Sequence, residues 1–172
     1  MLERIVIAGS GGQGIIVIGR LFAGAALPHY RHLTFFPSYG AEVRGGSSQC
    51  QVILSSDEIS SPVSSRFEAA LVMNQTTADK FLTLLEPNGM AVVNASLCKV
   101  PKDHRFIEIN ATDMAVEMGN IRVANSIMLG CYVAARKAVP AADVEAAMRE
   151  AVGAKNPLAD LNIRAFRAGM KR

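Results

Sequence analysis

Two stretches of this chain carry residue types and spacings suited to holding an anion. The first is Gly9-x-Gly11-Gly12-Gln13-Gly14, set directly after the apolar run Ile5–Ala8 and before a helix-like stretch from Ile15 to Ala26. A strand that passes through a glycine turn into a helix aims backbone N–H groups, and the positive end of the helix dipole, at a phosphate or carboxylate. In that arrangement Gly9 supplies backbone freedom, Gly11 lets a ligand approach the main chain, and Gly14 permits close helix–strand packing. The second stretch is Tyr39-Gly40-Ala41-Glu42-Val43-Arg44-Gly45-Gly46. The planar fork of Arg44 suits a phosphate or carboxylate, with Tyr39 packed beneath it and Ser47 and Ser48 adding hydroxyls. The plainer reading is a Glu42–Arg44 pair that only holds the loop. If both stretches lie at the C-terminal edge of one sheet, they share a crevice.

The first stretch does not complete a dinucleotide site. An acidic residue is wanted near the end of the second strand, about 20 residues on, to bind the ribose. That region reads Leu33-Thr34-Phe35-Phe36-Pro37, and Glu42 falls beyond the next turn. If no ligand is held, the glycines simply make a tight crossing, with Gln13 presented to solvent or a partner. Asn94 and Asn125 stand at a strand end and a helix start, where an amide caps a helix or contacts a ligand. His29 and His32 lack a third metal ligand nearby and read as a polar helix terminus. Ser10 is not a nucleophile elbow, because the residues around it lack the GxSxG pattern. Cys50, Cys98 and Cys131 are scattered and contain no CxxC, so they predict three buried thiols in a reducing compartment, with no cluster or zinc knuckle.

The elements that must position these residues follow from the periodicity. Strands are predicted at Arg4–Ala8, Leu33–Phe36, Ser48–Ser55, Ala69–Met73, Met90–Val93 and Arg105–Asn110. In the third of these, Cys50, Val52 and Leu54 share one side. Helices are predicted at about Gly14–Leu27, Thr76–Leu85, Thr112–Met118, Ala124–Val139, Pro140–Val152 and, as a short one, Asn156–Gly169. Pro37–Gly40 and Pro87–Gly89 read as turns, and residues 41–48 as an ordered loop. Small residues along the Ala124 helix predict tight packing, within this chain or against another. Strands alternate with helices up to about residue 120, and helices dominate afterwards. The expected fold is α/β, a Rossmann-like three-layer domain over 1–172 with a mostly parallel sheet and additional C-terminal helices.

Half of the 172 residues are hydrophobic, and Lys plus Arg exceed Asp plus Glu by three, 18 against 15. That balance gives no footing for nucleic-acid binding. Gly9–Gly14 interrupts the early apolar run, and no run reaches the roughly 18 apolar residues of a membrane span. A cytoplasmic location is expected, with no nucleic acid and no membrane among the partners.

Taken together, Gly9-x-Gly11-Gly12-Gln13-Gly14 and Pro37-Ser38-Tyr39-Gly40-Ala41-Glu42-Val43-Arg44-Gly45-Gly46 resemble the gamma subunit of the 2-oxoacid:ferredoxin oxidoreductases. The likeness continues through Val52–Ser55, Ile59–Pro62, Asn74, Gly89–Asn94, Arg122–Gly130 and Asn162-x-x-Ala165-Phe166-x-x-Gly169. Glu68 departs from the Asp often found there, and the substrate class stays open.

The resemblance implies a noncatalytic share in an enzyme that decarboxylates a 2-oxoacid oxidatively to an acyl-coenzyme A and reduces ferredoxin. It implies alpha and beta catalytic subunits, a ferredoxin-like delta subunit or domain, external ferredoxin, and a homodimer contact as a further option. Thiamine diphosphate, Mg2+, iron–sulfur clusters and coenzyme A would belong to the assembled complex, with none held firmly by this chain. Gly11, Gly12, Gln13, Gly14, Tyr39, Glu42, Arg44, Gly45 and Asn125 would form its subunit-contact or coenzyme-A-side surface. The competing expectation is a freestanding nucleotide-binding domain with a regulatory or redox role.

Overall fold

The computed structural model describes residues 1–39, 46–153 and 156–172. Its six strands form one sheet in the order β2-β3-β1-β4-β5-β6. They are β1 (Leu2–Ser10), β2 (His32–Tyr39), β3 (Ser47–Ser55), β4 (Phe67–Val72), β5 (Leu85–Asn94) and β6 (Phe106–Ile109). β1 pairs parallel with β4, β4 with β5, and β5 with β6. β3 pairs antiparallel with both β1 and β2, so β2 runs in the direction of β1 but one strand removed from it. Only β3 opposes the other five.

Among the described residues six α-helices surround the sheet: α1 (Ile15–Ala26), α2 (Gln75–Phe81), α3 (Ala111–Glu117), α4 (Ala124–Arg136), α5 (Ala141–Val152) and α6 (Pro157–Met170). The central strand β1 is buried on both faces, which is why its sequence is an unbroken apolar run and not an alternation. Ile5 and Ile7 enter a large core with α1, α4, α5 and α6. Val6 and Ala8 enter a smaller one with α2. Cys50, Val52 and Leu54 share the larger core, as their spacing predicts. All three thiols are buried and unbridged; burial pushes Cys50 up to about 12 and Cys98 and Cys131 to about 11, which keeps them protonated.

Several predicted boundaries shift for physical reasons. Pro37 does not close β2 in a turn; Pro37, Ser38 and Tyr39 stay in register with Cys50, Gln49 and Ser48. β2 is an edge strand, and an edge has a side where a missing N–H breaks no ladder. Pro87–Gly89 lies within β5, where the register passes from Phe67↔Leu85 to Ala69↔Met90; β5 advances five residues there while β4 advances two. The expected helix to Leu85 ends at Phe81, passes through a 3₁₀ turn at Leu82–Leu84, and gives Leu85 to β5. The helix expected to reach Val139 stops at Arg136, because Lys137 turns into the left-handed region at φ 53. The final helix is not short: its 14 residues exceed the 13 of α4.

The small residues of α4 serve contacts within the chain. A Cβ on Gly130 would strike the Phe166 carbonyl of α6, and one on Gly169 would strike the Ile127 carbonyl of α4. The two helices therefore cross with backbones in contact through one glycine from each.

A buried charge fixes α4 to the start of β1. Glu3 is 1% exposed. Its carboxylate accepts from Arg136 Nε at 2.9 Å and Tyr132 OH at 3.1 Å, and forms a second contact with the Arg136 fork. Burial and the Glu3 carboxylate push the Tyr132 hydroxyl well above its ordinary range, so it stays a donor. On the other face of β1, Arg4 bridges Glu68 at 2.5 Å and Glu86 at 2.6 Å, tying β1, β4 and β5. Removing one partner of a buried pair leaves the other charge uncompensated, which costs about 3–5 kcal/mol. Arg136→Met is predicted to lower unfolding free energy by that amount in urea titration, and Glu3→Gln/Arg136→Met to recover most of the loss.

Candidate functional site

The glycine turn sits where β1 ends. β1 runs to Ser10, and α1 begins at Ile15 with Gly14 as its N-cap residue. Gly12 and Gly14 occupy the left-handed region, at φ 90 and φ 71. Gly9 does not, which corrects the expected role of backbone freedom. Gly9 is needed for space: a Cβ there would come within 2.9 Å of Ile15 Cδ1 and Met73 Cβ, and closer still to Gln13 Oε1. The helix–strand contact expected of Gly14 belongs to Gly19, where a Cβ would strike Cys50 Sγ on β3. A Cβ on Gly14 would strike Asn125 on α4 instead.

Gln13 folds back onto the turn. Its Oε1 accepts the Ser10 N–H at 2.7 Å, and its own N–H donates to the Ser10 carbonyl at 3.2 Å. The Gly11 N–H donates to the Gly46 carbonyl at 3.0 Å. Asn125 Nδ2 donates to the carbonyls of Gln13 and Gly14 at 3.2 and 3.3 Å. Asn125 thus braces the turn and does not cap its own helix.

The ends of the second stretch lie at the same sheet edge. Tyr39 of β2 pairs with Ser48 of β3, and Ser48 with Gly9 of β1. Glu42, Arg44 and Gly45 fall outside the described residues, as does the side chain of Tyr39. Of the nine expected site residues, the structure therefore brings together Gly11, Gly12, Gln13, Gly14 and Asn125.

A crevice of about 130 Å³ opens beside the turn, between β1 and β4, lined by Gly12, Gln13, Met73, Leu97, Thr112, Ile121, Arg122 and Ala124. This is the point where the chain crosses from one half of the sheet to the other, the usual ligand position in an open α/β sheet. Both α1 and α4 start at its rim. The α1 start has neither a side-chain cap nor an acidic residue in its first turn; α4 has no acid there either, but it continues a 3₁₀ turn at Ile121–Val123 that Asn120 caps through the Arg122 N–H at 3.0 Å. Arg122 is exposed on the rim. The α1 N-terminus and the Arg122 guanidinium bring positive charge to the crevice, and Asp113, next to its Thr112 wall in the first turn of α3, is the opposing charge. Its volume is under the roughly 300 Å³ lower bound of ordinary small-molecule pockets, so it fits a terminal anionic group and not a whole dinucleotide.

An asparagine stands at or just beyond the end of each of the three neighbouring parallel strands β4, β5 and β6. Asn74 Oδ1 caps α2 through the Thr77 N–H at 3.0 Å, and its Nδ2 donates to Ser10 Oγ at 2.6 Å. Asn94, fully buried, donates to the Met73 carbonyl and Thr112 Oγ1 at 3.1 and 2.9 Å, and accepts the Thr112 N–H at 3.3 Å. It therefore supplies the cap of α3 that Asn110 leaves unmade. Among the described residues, no group of three His, Cys, Asp or Glu side chains is placed to hold a metal. His29 bonds Asp143 of α5 at 2.6 Å.

Residues 4–172 match the family described as pyruvate ferredoxin/flavodoxin oxidoreductase. The chain belongs to this oxidoreductase family. The ketoisovalerate oxidoreductase subunit VorA of Methanothermobacter marburgensis is 32% identical over 96% of this chain, which spans about a third of that relative, 35% of its length. The 2-oxoglutarate synthase subunit KorC of Archaeoglobus fulgidus is 30% identical over 98% of this chain and 86% of its own length. The crystal structure of the keto/oxoacid ferredoxin oxidoreductase gamma subunit from Geobacter sulfurreducens superposes with a TM-score of 0.82 at 29% identity, covering 99% of this chain and 95% of that one. No helix among the described residues of this family member is long and apolar enough to cross a membrane.

Ser10, Thr112 and Asn162 were not legible as site residues, and their partners lie 64, 18 and 36 positions away in the chain. A usable signal did exist: the repeated strand–Asn pattern at Val72-Met73-Asn74, Val92-Val93-Asn94 and Glu108-Ile109-Asn110.

The two left-handed glycines are predicted to differ in sensitivity. Alanine at either position meets the left-handed penalty of about 1–2 kcal/mol. Gly12 has open space, whereas Gly14 also meets Asn125. Thermal unfolding should show Gly14→Ala as the more destabilised variant, and the two should become equal when each is combined with Asn125→Ala, which removes the clash and takes the same bracing hydrogen bonds from both.

Proposed function

We propose that this chain is the gamma subunit of a multisubunit 2-oxoacid:ferredoxin oxidoreductase, itself noncatalytic, and that its glycine-turn edge is the coenzyme-A-side surface. The observation that carries the reading is the crevice where the uncapped start of α1 faces the start of α4 beside Arg122. Its size and sign suit a phosphate of coenzyme A. The N–H groups of Gly12 and Gly14 are the ones left for a ligand, since those of Gly11 and Gln13 go to the carbonyls of Gly46 and Ser10; Asn125 braces the turn, and Tyr39, Glu42, Arg44 and Gly45 complete the surface. Arg44 supplies a second guanidinium.

The described residues offer no ligand set for Mg2+ or an iron–sulfur cluster. Thiamine diphosphate, Mg2+ and the clusters are assigned to alpha, beta and ferredoxin-like delta components, which pass electrons to external ferredoxin. No step of the decarboxylation is assigned to this chain. The complex works in the cytoplasm.

A freestanding nucleotide-binding domain is the competing reading. Antiparallel β3 stands where the ribose-binding strand of a dinucleotide fold would lie, which counts against it.

The test is steady-state kinetics of the assembled enzyme carrying Arg44→Ala or Arg122→Ala. Loss of one charge-assisted hydrogen bond should raise KM for coenzyme A by roughly 10-fold or more with kcat little changed. Unchanged KM in both variants would leave the surface an assembly contact only. Micromolar binding of NAD or FAD by this chain in equilibrium dialysis would overturn the subunit reading.

A further inference from the structure

We propose that Ser126 and Asn162 are positioning residues for the glycine turn, acting through Asn125. The turn needs external bracing. Gly12 and Gly14 flank Gln13 in left-handed conformations, and a glycine-rich backbone is the most mobile kind when unfettered. Among the described residues, two side chains hold it: Gln13 on itself and Asn125 from α4. The Asn125 amide has one workable orientation, because the other would set its oxygen against two carbonyl oxygens.

Asn125 is only as fixed as the first turn of α4, which has no side-chain cap. Ser126 anchors that turn. It is 1% exposed, and a buried hydroxyl must spend its hydrogen. Ser126 Oγ donates to Asn162 Oδ1 at 2.8 Å and lies 3.3 Å from Asn125 Oδ1, so Asn162 is the main acceptor. Asn162 is itself oriented, with Nδ2 donating to the Leu158 carbonyl of α6 at 2.8 Å. A path of polar contacts thus runs from the first turns of α6, through α4, to the backbone that presents N–H groups at the crevice. The Gly14 carbonyl at its end also accepts the Ile18 N–H at 3.0 Å, the first bond of α1.

The experiment is hydrogen exchange by mass spectrometry on the assembled complex, with coenzyme A kinetics beside it. Asn162→Ala and Ser126→Ala should each speed exchange in the segment 11–16 by roughly two- to ten-fold, the range of one net hydrogen bond. Exchange in β5 should not change. Asn162→Asp keeps an acceptor for Ser126 but loses the donor to the Leu158 carbonyl, and should restore part of the protection. Unchanged exchange at 11–16 in Asn162→Ala and Ser126→Ala overturns the inference. So does a uniform rise in both the turn and β5, which marks a merely structural role.

The kinetic arm rests on the coenzyme-A-side reading. KM for coenzyme A should rise with the exchange rate while kcat holds. A faster turn with unchanged KM supports the positioning role and contradicts the coenzyme A reading.

Discussion

β3 runs against the other five strands of the sheet, and the chemistry available to this chain follows from that one reversal. In a dinucleotide fold the second parallel strand lies beside the first, and its end delivers the ribose-binding acid to the glycine turn. Here β3 occupies that place and pushes β2 to the edge. The hairpin between β2 and β3 returns the chain to the same edge, so Gly46 reaches the Gly11 N–H where a ribose partner would otherwise stand. The missing acid and the displaced strand are one fact seen in sequence and in space. The glycine turn keeps its helix start and loses its nucleotide frame.

The opposite ends of β1 are held by different chemistry. At its start, ionic contacts bind Glu3 to α4 and Arg4 to β4 and β5. At its finish, neutral amides take over: Asn74, Asn94 and Asn125 join strand ends, helix starts and the glycine turn. Charged braces at the functional edge would compete with a bound anion; amides orient the backbone without adding a net charge. An anion in the proposed site would meet the start of α1 and Arg122, with no carboxylate in the first turns of α1 and α4.

Much of this was legible in the sequence. The apolar run, glycine spacing and helix period placed β1, the turn and α1, because a strand buried on both faces and a helix leave different periods. Strand direction leaves no such trace, so the reversal of β3 could not be read. Pro37 looked like a stop because an edge strand and a turn tolerate it equally. Lys137 ended α4 early by entering the left-handed region, a choice that composition does not announce. Asn125 was legible as a ligand or cap residue, but its actual partners, Gln13 and Gly14, lie more than 100 residues away. Spacing marks Gly9 and Gly14 as necessary but cannot tell a backbone angle from a steric limit, so which glycine meets which need shows only in the structure.

The central claim is that this chain works as part of a larger oxidoreductase and holds no nucleotide of its own. Native mass spectrometry of the chain purified from its host tests that most directly. The account predicts stoichiometric partner chains that carry thiamine diphosphate and iron–sulfur clusters. A stable chain without partners, retaining a bound NAD or FAD, would contradict it.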